Sequence, residues 1–260
     1  MSKGGNMVRM LRLSKLHNYY QCCLKKLGCC DLCSSEITET FLCNNNVSQT
    51  LICQHCLDAL PLFNQQYVYA NLLNWPAIHQ ALPAISFDQL FSLSPYIYPF
   101  NHWLAQFKYS GRFELADLFS SLLCAQWQST MINDSSPPVD LVIPVPLHIK
   151  KWQARGYNQA HLIAKKFATK LSLSYNANLI VRIKNNDSQM GKTGAERRKN
   201  LKHSFTLKQK VATNIKHVVI VDDVVTTGTT VSEISKVLKS AGIETITLVT
   251  VCLSLPPSIT

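Results

Sequence analysis

Residues 218–221 (Val218, Val219, Ile220, Val221) form an unbroken apolar run, which suits a strand buried on both faces of a parallel sheet. After a short polar turn, Val231, Ile234, Val237, Leu238 and Ala241 recur at helical spacing, and Gly242 supplies a stop. Residues 243–253, rich in Ile, Val and Thr, read as the next strand. The predicted unit is strand, loop, helix, strand, with its loop at the carboxyl end of a strand, where open α/β sheets bind ligands. A second buried strand is predicted at 141–145, followed by a loop and a helix that opens at Asn158-Gln159 and turns Ala160, Ile163, Ala164 and Phe167 to one side. Upstream, Trp103, Leu104 and Phe107, then Leu115, Leu118, Phe119 and Leu122, hold helical spacing on either side of residues 108–112, and Ser135-Ser136-Pro137-Pro138 reads as a loop.

The turn after residue 221 carries the candidate chemistry: Asp222, Asp223, Val224, Val225, Thr226, Thr227, Gly228, Thr229 and Thr230. Backbone N–H groups at a helix N-terminus carry partial positive charge and hold a phosphate without a lysine. Gly228 permits close backbone approach, and the four threonines offer hydroxyl donors. Asp222 and Asp223 are acceptors for vicinal ribose hydroxyls, directly or through a metal. An ordinary acidic turn with a Thr-rich cap would explain an isolated Asp-Asp pair. It does not account for the whole string at a strand-to-helix junction.

In these residues the chain resembles the type I phosphoribosyltransferases, whose loop for phosphoribosyl pyrophosphate (PRPP) has this form. The resemblance implies a parallel sheet flanked by helices, threonines and glycine on the 5-phosphate, carboxylates on the ribose, and Mg²⁺ bound with PRPP. A narrower resemblance, to the ComF family of competence-associated proteins, rests on Ile143-Pro144-Val145-Pro146-Leu147-His148, on Arg155-Gly156-Tyr157-Asn158-Gln159, and on the spaced set Arg182, Gln189, Arg197, Asn200 and Phe205. The family usually has Phe where Tyr157 stands, so the ring is kept. Membership implies a role in DNA uptake, with competence-machinery proteins and single-stranded DNA as expected partners. In phosphoribosyltransferases the loop after the 141–145 strand helps hold pyrophosphate, a part that Arg155, followed directly by Gly156, would take here. No stretch resembles the base-recognition hood of a known purine or pyrimidine enzyme, so ligand binding is expected more firmly than turnover.

The ten cysteines would suggest disulfides in a small secreted protein, but here they accompany a sugar-phosphate motif. Cys30-Asp31-Leu32-Cys33 and Cys53-Gln54-His55-Cys56 are two CxxC knuckles separated by nineteen residues, the pattern of a structural zinc ribbon with four thiolates. Free buried thiols and a redox CxxC are the alternatives, and Cys29 rivals Cys30 as a ligand. Cys124 and Cys252 read as small core hydrophobes.

The 260 residues carry a net charge of +11, and the excess lies mostly in 141–217, where sixteen Lys/Arg face only Asp187 and Glu196. The densest part, 191–199, includes Lys192, Arg197, Arg198 and Lys199, contains two glycines and few apolar residues, and reads as a mobile loop. In type I phosphoribosyltransferases a lid closes over pyrophosphate at this place. The same charges suit a nucleic-acid backbone, or plain solubility. There is no eighteen-residue uncharged apolar run, hence no expected transmembrane helix, and a cytoplasmic protein is expected. The expected organisation is a basic leader (1–27), a zinc module (28–66), a connector (67–90) and a phosphoribosyltransferase-like domain (91–260).

Overall fold

The computed structural model describes residues 28–37, 42–43, 46–47, 51–82, 84–131, 137–147, 152–153, 155–183 and 204–254. The basic leader, His148, Lys150, Lys151 and the lid candidates Lys192, Arg197 and Arg198 lie outside them.

Four strands form a parallel sheet: β3 (Gln89–Pro95), β4 (Leu141–Pro144), β7 (His217–Val225) and β8 (Thr245–Leu253), in the order β3-β8-β7-β4. The shorter ribbons, β1 (Leu42–Cys43) with β2 (Asn46–Val47) and β5 (Ile180–Arg182) with β6 (Phe205–Leu207), are antiparallel. Six helices of the α type accompany them among the described residues: α1 (Gln54–Asp58), α2 (Pro76–Ala81), α3 (Phe100–Tyr109), α4 (Leu115–Met131), α5 (Gln159–Lys170) and α6 (Thr229–Ser240).

The unbroken apolar run at 218–221 follows from burial of both faces of β7. Val219 and Val221 point into one hydrophobic cluster with Phe91 and Leu93 of β3, Phe107 of α3, Phe119 of α4 and Phe167 of α5. Val218 and Ile220 point into another with Leu90, Ile143 and Leu248, closed by Val231, Ile234 and Leu238 of α6. Side chains alternate across a strand, so a sheet covered on both sides needs apolar residues at consecutive positions. The expected α/β class is the one observed, a parallel sheet with helices on both faces. The cysteine segment packs against the first cluster, to which Cys30, Leu51, Ile52, Cys56 and Leu60 all belong. No helix among the described residues is long and apolar enough to cross a membrane.

The periodic pattern around 108–112 resolves into α3 and α4, broken at Ser110-Gly111, where Gly111 adopts φ 68°. The strand read at 243–253 begins at Thr245. Strand β3 had no reading of its own, because Ser92 and Ser94 interrupt its apolar run. Both serines are fully buried, and their hydroxyls bond to backbone carbonyls.

Candidate functional site

The site is built at the carboxyl ends of β7 and β4. Asp222 and Asp223 lie within β7 itself, which runs on through Val225 rather than turning after residue 221, and α6 starts at Thr229. Between them Thr226 and Thr227 are exposed, Thr229 is buried, and the Thr227 and Thr229 hydroxyls bond at 2.8 Å. Gly228 caps α6 with φ 66°, and its carbonyl receives Ser232 N at 2.8 Å. The first turn of α6 carries no acidic residue, so its free amides face the loop without a competing carboxylate. Val224 and Val225 sit differently: Val225 is buried in the second cluster, and Val224 N donates to Asp223 Oδ1 at 2.8 Å.

Gly228 is required for a reason beyond close approach to a ligand. A Cβ built there would lie 3.1 Å from Ile85 Cγ2 and 3.3 Å from a Phe87 ring carbon, at a backbone φ of +66°. Gly228→Val is therefore expected to destabilise the fold by about 1–3 kcal/mol and to shift the turn's amides. A lower melting temperature together with lost phosphate affinity would be seen. A variant that melts as the wild type does would contradict this account.

The two carboxyl groups differ. Asp222 Oδ1 accepts from Asp223 N at 2.9 Å, and burial, then the neighbouring Asp223 charge, pushes its pKa up from 3.8 to about 8. Asp223 is paired with a residue the sequence did not suggest: Lys108 Nζ, at the end of α3, lies 2.8 Å from Asp223 Oδ2, with only 19% and 13% of the two side chains exposed. Burial pulls the Lys108 pKa down, but attraction to Asp223 outweighs it and leaves the ammonium above its ordinary value. In sequence Lys108 falls in the break between two helical patterns, at 108–112. A lone lysine after Phe107 carries no motif, and nothing but the fold brings it to β7.

Arg155 comes to the same region from the other side. Its Nη1 donates to Gln159 Oε1 at 3.2 Å, its Nη2 to Tyr109 Oη at 3.5 Å, and its guanidinium lies 5.3 Å from the Tyr109 ring centre. It is close enough to oppose the charge of Lys108. Asn158 Nδ2 ties this loop to the end of β4 through Val145 O at 3.0 Å. The Tyr157 ring packs on Phe113 and Phe107, with centroids 4.6 and 5.8 Å away, which is why a ring is kept there. Asp222, Asp223, Lys108 and Arg155 thus surround one end of the sheet beside the threonine turn.

On the α3–α4 face, the sulfurs of Cys30, Cys33, Cys53 and Cys56 lie within 4.8 Å of one another, positioned to bind a metal ion. The first knuckle is a tight turn in which Cys30 N bonds to Ser35 O and Ser34 N to Cys30 O. The second begins α1, where Cys53 is the N-cap residue and its carbonyl receives Leu57 N. Cys30 belongs to the group and Cys29 does not; Cys29 instead bridges Glu36 through the backbone. Ser35 hydrogen bonds lower the Cys33 pKa from 9.0 to about 6, whereas burial pushes Cys56 up. Cys124 and Cys252 are fully buried in the core, as expected.

Residues 155–256 match the phosphoribosyl transferase domain family. Competence protein F of Haemophilus influenzae is 34% identical over 163 residues, 62% of this chain and 71% of that protein. The chain belongs to the ComF family. The DNA utilization protein YhgH of Salmonella typhi is 32% identical over 69% of this chain and 82% of its own length. Among solved structures, adenine phosphoribosyltransferase from Leishmania tarentolae aligns over 58% of this chain and 74% of its own, at 13% identity and a TM-score of 0.35. The architecture of this ComF protein is the four-stranded parallel sheet with helices on both faces.

Proposed function

We propose that the turn 226–230, with Asp222 and Asp223, is a phosphoribosyl site whose ligand is PRPP or a related compound, bound with Mg²⁺. The observation that carries this reading is the junction itself: a carboxylate pair on β7, a hydroxyl-rich turn with Gly228 at φ 66°, and the free amides of α6, inside a phosphoribosyl transferase domain. The amides and threonine hydroxyls would take the 5-phosphate, the carboxyl groups the ribose diol, and Arg155 the departing pyrophosphate. Mg²⁺ would neutralise phosphate charge. If turnover occurs, the protein's part is positioning and charge stabilisation.

The four-cysteine group would hold Zn²⁺. A tetrahedral ion with bonds of about 2.3 Å separates its sulfurs by about 3.8 Å, and Cys33 Sγ and Cys53 Sγ already stand 3.6 Å apart. Such a site needs reduced thiols, which suits the cytoplasm. The names of the relatives, competence protein F and DNA utilization protein, support a place in DNA uptake or use.

The test is calorimetric titration of the purified chain with PRPP and Mg²⁺, followed by a pyrophosphate-release assay across candidate acceptors. Saturable binding at one site per chain is the expected result, and absence of any phosphoribosyl binding would reduce the site to a retained scaffold. The charge excess of 141–217 favours a second reading, contact with a nucleic-acid backbone. Charge reversal at Arg197, Arg198 and Lys199 would then weaken single-stranded DNA binding and flatten its salt dependence, while a lid alone would lose PRPP affinity instead.

A further inference from the structure

Helix α3 is tied at two places to acidic groups of other elements. Near its middle, Trp103 Nε1 donates to Asp31 Oδ2 at 2.8 Å, and Asp31 lies inside the first CxxC knuckle, between Cys30 and Cys33. The same carboxylate is gripped by Arg112, through Nη1 to Oδ2 at 3.1 Å and Nη2 to Oδ1 at 3.0 Å, with only 6% and 8% of the two side chains exposed. Arg112 Nη1 also donates to Gln106 Oε1 of α3 at 2.7 Å, and its Nε to Glu114 at 3.0 Å. The buried guanidinium therefore bridges Gln106 of α3 to Asp31 of the knuckle, and the Trp103 indole ties the helix to the same carboxylate a second time. Two residues beyond Gln106, the helix ends by placing Lys108 on Asp223.

We infer that the cysteine module is a positioning element of the phosphoribosyl site: Asp31, held by Arg112 and Trp103, fixes helix α3 so that Lys108 orients and neutralises Asp223. This rests on the phosphoribosyl reading of the β7 turn. Chemistry gives the arrangement its purpose. A ligand with phosphate at one end and pyrophosphate at the other is repelled by uncompensated carboxylates, and an ammonium fixed against one of them removes that repulsion while leaving lone pairs for the diol. A lysine at a helix end is a long, mobile side chain with many rotamers. Anchoring the helix within two turns of it reduces the freedom that ligand binding would otherwise have to remove. The position of Asp31 between two cysteines of the candidate metal group gives the module its part: the knuckle fixes the backbone from which Asp31 reaches Arg112.

The alternative is that Arg112–Asp31 merely stabilises the fold, and a double-mutant cycle on ligand affinity separates the two. Asp31→Asn, Lys108→Met and the double variant would be titrated, as full-length chains, with ribose 5-phosphate and with PRPP plus Mg²⁺, alongside thermal melts. Each single variant is expected to bind on the order of tenfold more weakly, and the double variant no more weakly than Lys108→Met alone, since Asp31 acts through Lys108. Asp31→Asn that melts lower yet binds as the wild type does would overturn the inference. So would effects that multiply in the double variant. Should Asp31→Asn fail to fold, Arg112→Lys, which keeps the charge and loses the two-pronged grip, takes its place in the cycle under the same criteria. A wild type that binds neither ligand removes the phosphoribosyl reading itself; a wild type that binds, with an additive cycle, removes only the role of the module.

Discussion

Asparagine at both Asp222 and Asp223 is expected to abolish binding of PRPP and of ribose 5-phosphate, with loss of at least two orders of magnitude for the ion-paired acceptor at Asp223 together with the Asp222 carboxyl. The amide keeps the shape but replaces one carboxyl oxygen at each position with an NH₂ group, which can neither accept from the diol nor meet a Mg²⁺. The two positions part company in stability. Asp222 has a folded pKa raised to about 8, so the folded protein holds a proton there that the unfolded chain releases near 3.8. Stability contributed by that protonated form is present at low pH and is lost as pH rises through that window. Asp222→Asn should therefore melt at or above the wild type at neutral pH and show a flatter pH dependence between the ordinary carboxylate range and pH 8. Asp223→Asn does the opposite, because it leaves the Lys108 ammonium half-buried without a partner. After allowance for solvent at a pair 13–19% exposed, about 1–3 kcal/mol is the expected loss. Adding Lys108→Met should recover most of it. Undiminished ribose 5-phosphate affinity in a folded Asp222→Asn/Asp223→Asn chain would falsify the assignment of the turn.

That stability difference shows what was legible in the chain and what was not. The β7–α6 junction is local: a run of β-branched residues, a turn and a helical period are written in twenty-four consecutive positions, 218–241, and the sheet order only had to put them at a carboxyl edge. The two knuckles were legible for the same reason, since CxxC fixes two sulfurs on one turn, and a second copy at the right distance closes the set. Even the choice between Cys29 and Cys30 needed the fold, because a shift of one residue changes which sulfur faces inward. Lys108, Arg112 and Asp31 were not legible at all. Lys108 is 115 positions from Asp223 and Arg112 is 81 from Asp31, and no periodicity announces a pairing across such separations. Strand β3 was missed for a different cause. Its buried serines break the apolar run, and their hydroxyls are satisfied by carbonyls that exist only after folding. The connector 67–90 likewise holds α2 and the 3-10 segment Leu72–Asn74, and a second 3-10 segment, Gln65–Val68, runs across its start; Asn71 and Asn64 side chains cap the two rather than a repeating apolar period marking them.

Removal of the metal is the other change expected to act strongly. Purified without chelator, the protein should carry about one zinc per chain, and four thiolates supply on the order of 10 kcal/mol of local folding free energy. Chelation, or Cys53→Ser with Cys56→Ser, should therefore unfold residues 28–66 while the sheet and helices α5 and α6 persist. The boundary of that unfolding is set by packing. Cys30, Leu51, Ile52, Cys56 and Leu60 share a hydrophobic cluster with Trp103, Phe107 and Phe119, so loss of the knuckles exposes the flank of α3 and α4. Trp103 reports this directly, since its indole is fully buried and bonded to Asp31. Chelation should shift its fluorescence to the red before the main thermal transition, giving two steps where the metal-loaded protein gives one. Ligand thiolates compete with protons for the ion, so the chelator concentration needed should fall as pH falls. Protein that contains no metal when prepared without chelator, or that carries a disulfide across either knuckle, would end the zinc assignment. Zinc present but removable without any change at Trp103 would leave the ion in place and refute the coupling of the knuckle to helix α3.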